Sequence, residues 1–195
     1  MTPTRRLLLV LVLLLAGGTA RVQAQTSASA SHRVFVGVEP ITVMAVSGDP
    51  MPMNIVLDSG SSKSVLDAST FYNATTSVDR VQIEARMDEP MPDGLRLRLR
   101  AESSLGNSLG VVNLTGDGRS RRVVGNMARG LENGRRLEYE LVADPGLGPV
   151  PFQSRMVVLS FVNPETGYRQ EISQLIRFSV LSSETGSTSL RSTTN

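Results

Sequence analysis

The sequence predicts an all-β protein: a single antiparallel β-sandwich of immunoglobulin-like type, with disordered termini. Three observations carry that expectation. Apolar and polar residues alternate at period two over most of the chain. Turn residues interrupt the alternation at short intervals, and no stretch has the periodicity of a three-turn amphipathic helix. Period two marks a half-buried strand, because successive side chains of a pleated strand leave on opposite faces.

The elements follow in order. Arg5 and Arg6 precede an unbroken apolar run, Leu7 to Leu15, and small residues then lead to Val22-Gln23-Ala24. Charged start, short apolar middle and small-residue exit predict a signal peptide over 1–24, cut after Ala24. The run is too short to span a bilayer, and no later segment reaches the roughly 20 apolar residues that a spanning helix needs. No cysteine stands near the cleavage site to take a lipid. Residues 25–32 read as a flexible leader, 33–181 as the folded domain, and 182–195 as a disordered Ser/Thr-rich tail with almost nothing to bury.

Within the domain the clearest strand is Leu95 to Ala101, with Leu95, Leu97, Leu99 and Ala101 on one face and three arginines on the other. Val81 to Met87 and Leu137 to Ala143 alternate as well, and Val34–Val38, Ile41–Val46 and Ile176–Val180 do so more weakly. Met156 to Val162 is a more continuous apolar run. Eight to ten short strands are expected. Turns are expected at Ser47–Pro50, Pro92–Gly94, Leu105–Asn107, Gly116–Gly118, Asp144–Gly146 and Asn163–Gly167. Asn133-Gly134 is the sharpest signal, since Asn-Gly suits a two-residue hairpin turn.

Composition narrows the function. There is no cysteine, so stability must come from a core of Val, Ile, Leu and Met; Trp is also absent. Removing residues 1–24 from 195 leaves 171, ample for one core. It also takes Arg5, Arg6 and Arg21 from the 20 basic residues, leaving 17 against 18 acidic ones and a formal charge of −1. The basic pI of about 9.5 therefore belongs to the precursor, and nucleic-acid binding is not expected.

The stretch Asn54 to Leu66, NIVLDSGSSKSVL, raises a chemical question. Its Asp58, Ser59 and Gly60 resemble the active-site turn of the aspartic proteases, with Val65-Leu66 as the following apolar pair and Val123-Val124-Gly125 as the later apolar-apolar-Gly element. That chemistry needs two carboxylates sharing a proton and a water, so a single Asp-Ser-Gly would require a homodimer. Asp, Ser and Gly are equally the residues of a turn between two strands, and the turn is the reading taken.

Other chemistry has less support. His32 is the only histidine, which leaves no Ser-His-Asp site and no His-ligated metal cluster. Lys63 lacks a serine at Ser-x-x-Lys spacing, because Gly60 holds that place. Gly116-Asp-Gly-Arg119 lacks the later acidic ligands of a calcium loop and reads as a hairpin turn. Asn73-Ala-Thr75 and Asn113-Leu-Thr115 fit the glycosylation pattern, read as accidental in a chain of bacterial character. No metal or cofactor is expected. Arg119, Arg121, Arg122, Arg129, Arg135 and Arg136, with Glu132 the only acid among them, form a candidate patch for anionic polysaccharide or lipid headgroups. The competing reading is a solvated face paired with Glu138 and Glu140.

From Asp67 onward the chain resembles small secreted all-β bacterial proteins. The resemblance lies in Val81–Met87, Asp88–Leu95, Val111–Leu114, Leu137–Ala143 and Arg155–Phe161. It implies secretion and an immunoglobulin-like fold, brings no activity, and leaves the Asp58 turn outside it. The expected function is thus an exported, non-catalytic β-sandwich module acting in binding or assembly at the bacterial cell periphery, periplasmic or outer-surface. Other surface proteins or anionic polysaccharide are its expected partners. The alternatives are a homodimeric aspartic protease using Asp58, and a fimbrial-type subunit in which Val34, Val36 and Val38 donate a strand to a neighbour.

Overall fold

The computed structural model describes residues 39–57, 62–114 and 116–182, all within a compact unit that begins at Glu39. The expected signal, the Val34–Val38 strand, Asp58, Ser59, Gly60 and the tail beyond Ser182 lie outside the described residues. Every regular element described is a strand. The eleven are β1 (Thr42–Val46), β2 (Met53–Leu57), β3 (Lys63–Thr76), β4 (Val81–Met87), β5 (Leu95–Ala101), β6 (Asn107–Ser108), β7 (Val112–Asn113), β8 (Arg121–Met127), β9 (Gly130–Ala143), β10 (Val150–Val162) and β11 (Arg169–Ser182).

They form two sheets. Sheet A runs β1-β3-β9-β5-β7, and sheet B runs β2-β11-β10-β4-β8-β6. The alternating residues read from the sequence face inward as expected. Leu97, Leu99, Ile83, Tyr139, Leu159, Phe161, Ile176 and Phe178 are buried in one contiguous cluster drawn from both sheets. The outer face of β5 carries Arg98 opposite Glu140 and Arg100 opposite Glu138, paired at 3.2 and 3.4 Å. Such exposed pairs contribute at most about 1 kcal/mol each.

Four expectations need correction. The strands are not all short, since β3, β9 and β11 are each 14 residues long. The sheets are not wholly antiparallel, because β2 runs parallel to β11, Met53 opposite Phe178 and Leu57 opposite Ser182. Gly116–Gly118 joins β7 in sheet A to β8 in sheet B and so is a crossover bend, not a hairpin. Asn133-Gly134 lies inside β9. Its partner strand advances from Ala74 to Tyr72 while β9 advances from Glu132 to Arg135, so two residues face Asn73 alone. This is a bulge, with Gly134 at a φ of 61° and its N–H bonded to the Asn73 side chain at 2.7 Å. The left-handed geometry that Asn-Gly favours is present, used to kink a long strand.

The segment 42–57 positions everything that follows. It pairs with β3 as β1, leaves sheet A through Ser47–Pro52, and joins sheet B as β2. Pro50 and Pro52 have no N–H to give a ladder, which separates the two strands.

Leu97→Asp is expected to unfold the domain, because Leu97 is fully buried and its replacement would leave an unpaired charge in the core. Arg98→Ala should cost about 1 kcal/mol or less. Urea unfolding of the two variants checks the assignment; equally mild effects would show the inner face to be wrong.

Candidate binding surface

A strand at the edge of a sheet exposes a row of backbone N–H and C=O groups, and proteins generally blunt such edges. At the β1 edge the blunting is done by side chains. Met44 N–H donates to Gln170 Oε1 at 2.7 Å, and Gln170 Nε2 donates to Met44 O at 2.9 Å. Four residues on, Gln174 Nε2 donates to Gly48 O, while Gln174 Oε1 accepts the Tyr139 hydroxyl at 2.6 Å. Leu175 N–H donates to Asp49 Oδ1 at 2.9 Å. Gln174 is 1% exposed, so each end of its amide needs these partners. Burial, aided by the charges of Asp49 and Asp67, pushes the Tyr139 phenol up, and it stays neutral at all working pH values.

The other ends differ. The edge strands β6 and β7 are two residues long and offer little to pair with. β2 is five residues, Met-Asn-Ile-Val-Leu, with no charge. Met53 and Ile55 are buried while Asn54 and Val56 face out, and no backbone hydrogen bond beyond β11 is made by β2 among the described residues.

Beside β2 the outer face of sheet B is apolar. Val56 (56% exposed) stands opposite Leu181 (52%), and Asn54 opposite Ser179, whose hydroxyl donates to Asn54 Oδ1 at 2.8 Å. Phe152 (64%) sits in the irregular stretch of β10 between Val150 and Gln153, next to that pair, and exposed Met156 faces exposed Leu175. Within this strip lies Arg177, opposite Ser154, whose buried Nε has no hydrogen-bond partner. The other half of the same face is charged. There Arg169 pairs with Glu84 at 2.9 Å and Arg86 with Glu171 at 3.4 Å. Neither the strip nor the open edge was singled out from sequence; a run without charge between two prolines and the next charged turn was the available signal.

The six candidate arginines are divided between the sheets. Arg121 and Arg122 lie on β8 in sheet B; Arg135 and Arg136 lie on β9 in sheet A. Arg121 grips Asp117 with two bonds of 2.8 and 2.9 Å, and Arg119 N–H donates to the same carboxylate. These hydrogen bonds, Arg121's first, hold Asp117 far below the usual carboxylate range. Arg129 pairs with Asp79 at 2.8 Å, Arg136 approaches Glu138 at 3.9 Å, and Arg122 stands opposite Glu84. Val123, Val124 and Gly125 are buried in β8.

Arg135 serves a different centre. Glu132, with no exposed surface, accepts hydrogen bonds from the Ser103 hydroxyl, from Ser104 and Leu105 N–H at 2.7 Å each, from the Ser104 hydroxyl at 3.1 Å and from Arg135 Nε at 2.5 Å. Burial by itself would raise this carboxyl. The five donors outweigh it, and the group sits below its usual range. The carboxylate thus pins the 102–106 loop to β9. A shallow cavity of about 380 Å³ opens between Pro40, Thr42, Asn163, Thr166, Gly167 and Tyr168. Of its polar lining residues, Asn163 accepts Glu165 N–H at 3.0 Å and Thr166 Oγ1 accepts Tyr168 N–H at 3.3 Å.

No protein-family model and no curated protein matches the chain. Among solved structures it is similar to AggA, the major subunit of aggregative adherence fimbriae type I from Escherichia coli. There the identity is 13% and the TM-score 0.32, over 76% of this chain and 99% of that one. It is similar to the CFA/I enterotoxigenic E. coli adhesin CfaE, at 8% identity and a TM-score of 0.41, over 71% of this chain; it spans about half (48%) of that adhesin. It is also similar to the CssB subunit of E. coli colonization factor CS6, complemented with a donor strand from CssA, at 15% identity and a TM-score of 0.26, covering 72% and 97%.

Glu132→Gln is expected to cost about 2–3 kcal/mol, the scale of hydrogen bonds to a charged group. A carboxyl held below its unfolded value stabilises the fold above that value and stops doing so as pH falls through the folded one. The wild type should therefore lose stability below about pH 4.5 more steeply than Glu132→Gln. Parallel urea-unfolding curves at pH 7 and pH 3 check this; equal pH slopes would contradict it.

Proposed function

We propose that the chain is an exported, non-catalytic module, its two sheets forming one immunoglobulin-like sandwich, that acts by binding or assembly with other proteins at the bacterial surface. The observation that carries the reading is the contrast between edges. The β1 edge is capped by Gln170 and Gln174, whereas β2 is uncharged, makes no backbone hydrogen bond beyond β11 among the described residues, exposes Val56 and lies beside exposed Leu181 and Phe152. An open edge beside an apolar face is suited to strand addition, in which backbone hydrogen bonds give affinity and the flanking side chains give selectivity. The exported address is supported by the charged, apolar and small-residue sections of 1–24.

A fimbrial-type subunit is a narrower form of this reading. In β11, Ile176, Phe178 and Val180 fill the core from within the same chain, so an added strand would extend sheet B at β2 instead of completing the core.

A photoreactive phenylalanine analogue at Val56 tests the reading in cells that export the protein. Illumination should give a discrete covalent adduct from position 56 and none from Arg119, and Asp58→Asn should leave the yield unchanged. No adduct from position 56 would contradict the binding role. Acid peptidase activity lost on Asp58→Asn would contradict the non-catalytic one.

A further inference from the structure

We propose that the occupant of the β2 edge is β2 of a second copy of this chain, paired antiparallel about a two-fold axis at Ile55. The inference rests on β2 being an adhesive edge and names what adheres to it.

The sequence around β2 selects the register. Pro50 and Pro52 have no N–H, so a ladder cannot extend before Met53. A two-fold at Asn54 would set each copy's Pro52 against the other's Val56 and so spend two pairs, whereas a two-fold at Ile55 pairs all five residues of the strand. Ile55 then faces its own copy, Met53 faces Leu57 of the second copy, and Asn54 faces Val56. The buried side of the junction is wholly apolar, which continues the inner face that Met53 and Ile55 already form.

On the outer side each Val56 lies beside the other copy's Asn54 and diagonally across from the other Val56. Diagonal neighbours on one face are about 7–8 Å apart at Cα, which places both valines on one continuous patch. With Leu181 and Phe152 of each copy, the two apolar strips become one across the axis. An interface of this kind is isologous and closes on itself. No further edge then invites growth, since β1 is capped and β6 and β7 are short.

Charge does not oppose the pairing. β2 carries none, so no like charges face one another, as they would if β5 with its three arginines were paired to itself. Arg177 lies level with the residue before Met53. In this register the two copies of Arg177 are six residues apart along the strands and three strands apart across them. At about 3.3 Å per residue and 4.8 Å per strand, that separation is about 24 Å. The screening length is about 8 Å at physiological salt, so the two cations do not repel appreciably.

Sedimentation equilibrium of the purified protein lacking residues 1–24 should show a reversible monomer–dimer equilibrium with a midpoint of about 1–100 µM, the range suited to a small interface. Val56→Lys should weaken it at least about tenfold with an unchanged circular dichroism spectrum. The chain has no cysteine, so Asn54→Cys combined with Val56→Cys should form two disulfides across the axis and lock a covalent dimer under mild oxidation. A protein monomeric to about 1 mM would overturn the proposal, as would a dimer that Val56→Lys does not weaken or the cysteine pair does not lock. If position 56 photocrosslinks a different protein while the purified chain stays monomeric, this inference fails and the binding reading stands. If position 56 crosslinks nothing, both fail.

Discussion

At the edge of sheet A, Gln170 offers Met44 the same two hydrogen bonds that an added strand would make, and Gln174 continues the imitation at Gly48. Glutamine suits this use because its carboxamide carries the donor and acceptor of a peptide group at the end of a short flexible stem. Both side chains come from β11 in the opposite sheet, so their bonds also tie the two sheets together along one side. Gln174 reaches further inward and accepts a hydrogen bond from the hydroxyl of Tyr139, whose ring lies in the core. Removing Gln174 would orphan a buried hydroxyl and reopen the edge in one step.

That closure determines what the rest of the 42–57 segment can do. With β1 held against β3 on one side and capped on the other, the chain crosses the seam at Asp49, which accepts Leu175 N–H, and joins sheet B beside β11. The parallel β2–β11 pairing follows from direction. β11 meets the two strands in chain order, Gln170 and Gln174 against Met44 and Gly48, then Phe178 and Ser182 against Met53 and Leu57, so β2 and β11 leave sheet B at the same end. Among the described residues the β1 edge is thus closed by side chains, while β2 ends sheet B with no strand paired beyond it. Glu132, level with Met44 and two strands further into sheet A, gives a similar rigidity by gathering the 102–106 loop around one carboxylate.

Period-two alternation made the strands and their inner faces legible: Leu97, Ile83 and Tyr139 are buried where the pattern puts them. Turn chemistry was legible as local geometry but not as connectivity. Asn133-Gly134 has the backbone conformation that its residues favour, yet only the pairing with β3 makes it a bulge. The six arginines were legible as a cluster in sequence and not as their division between sheets, because the fold places β8 and β9 in different layers. The glutamine seam was not legible at all. Gln170 and Gln174 lie 126 residues from Met44 and Gly48, and nothing local distinguishes them from other polar strand residues. The open edge was hidden for the same reason, since an edge is a property of the whole sheet.

Amide hydrogen exchange at Met44 tests the sealed seam most directly. The Met44 amide sits on an edge strand and is bonded by one side chain. Its exchange in the wild-type protein should be protected to a degree typical of interior strands. Gln170→Ala should speed that exchange by about tenfold, the equivalent of one net hydrogen bond, while leaving core amides such as Leu97 unchanged. A Met44 amide that exchanges as freely as a solvent-exposed one in the wild type, or that is indifferent to Gln170→Ala, would contradict the account.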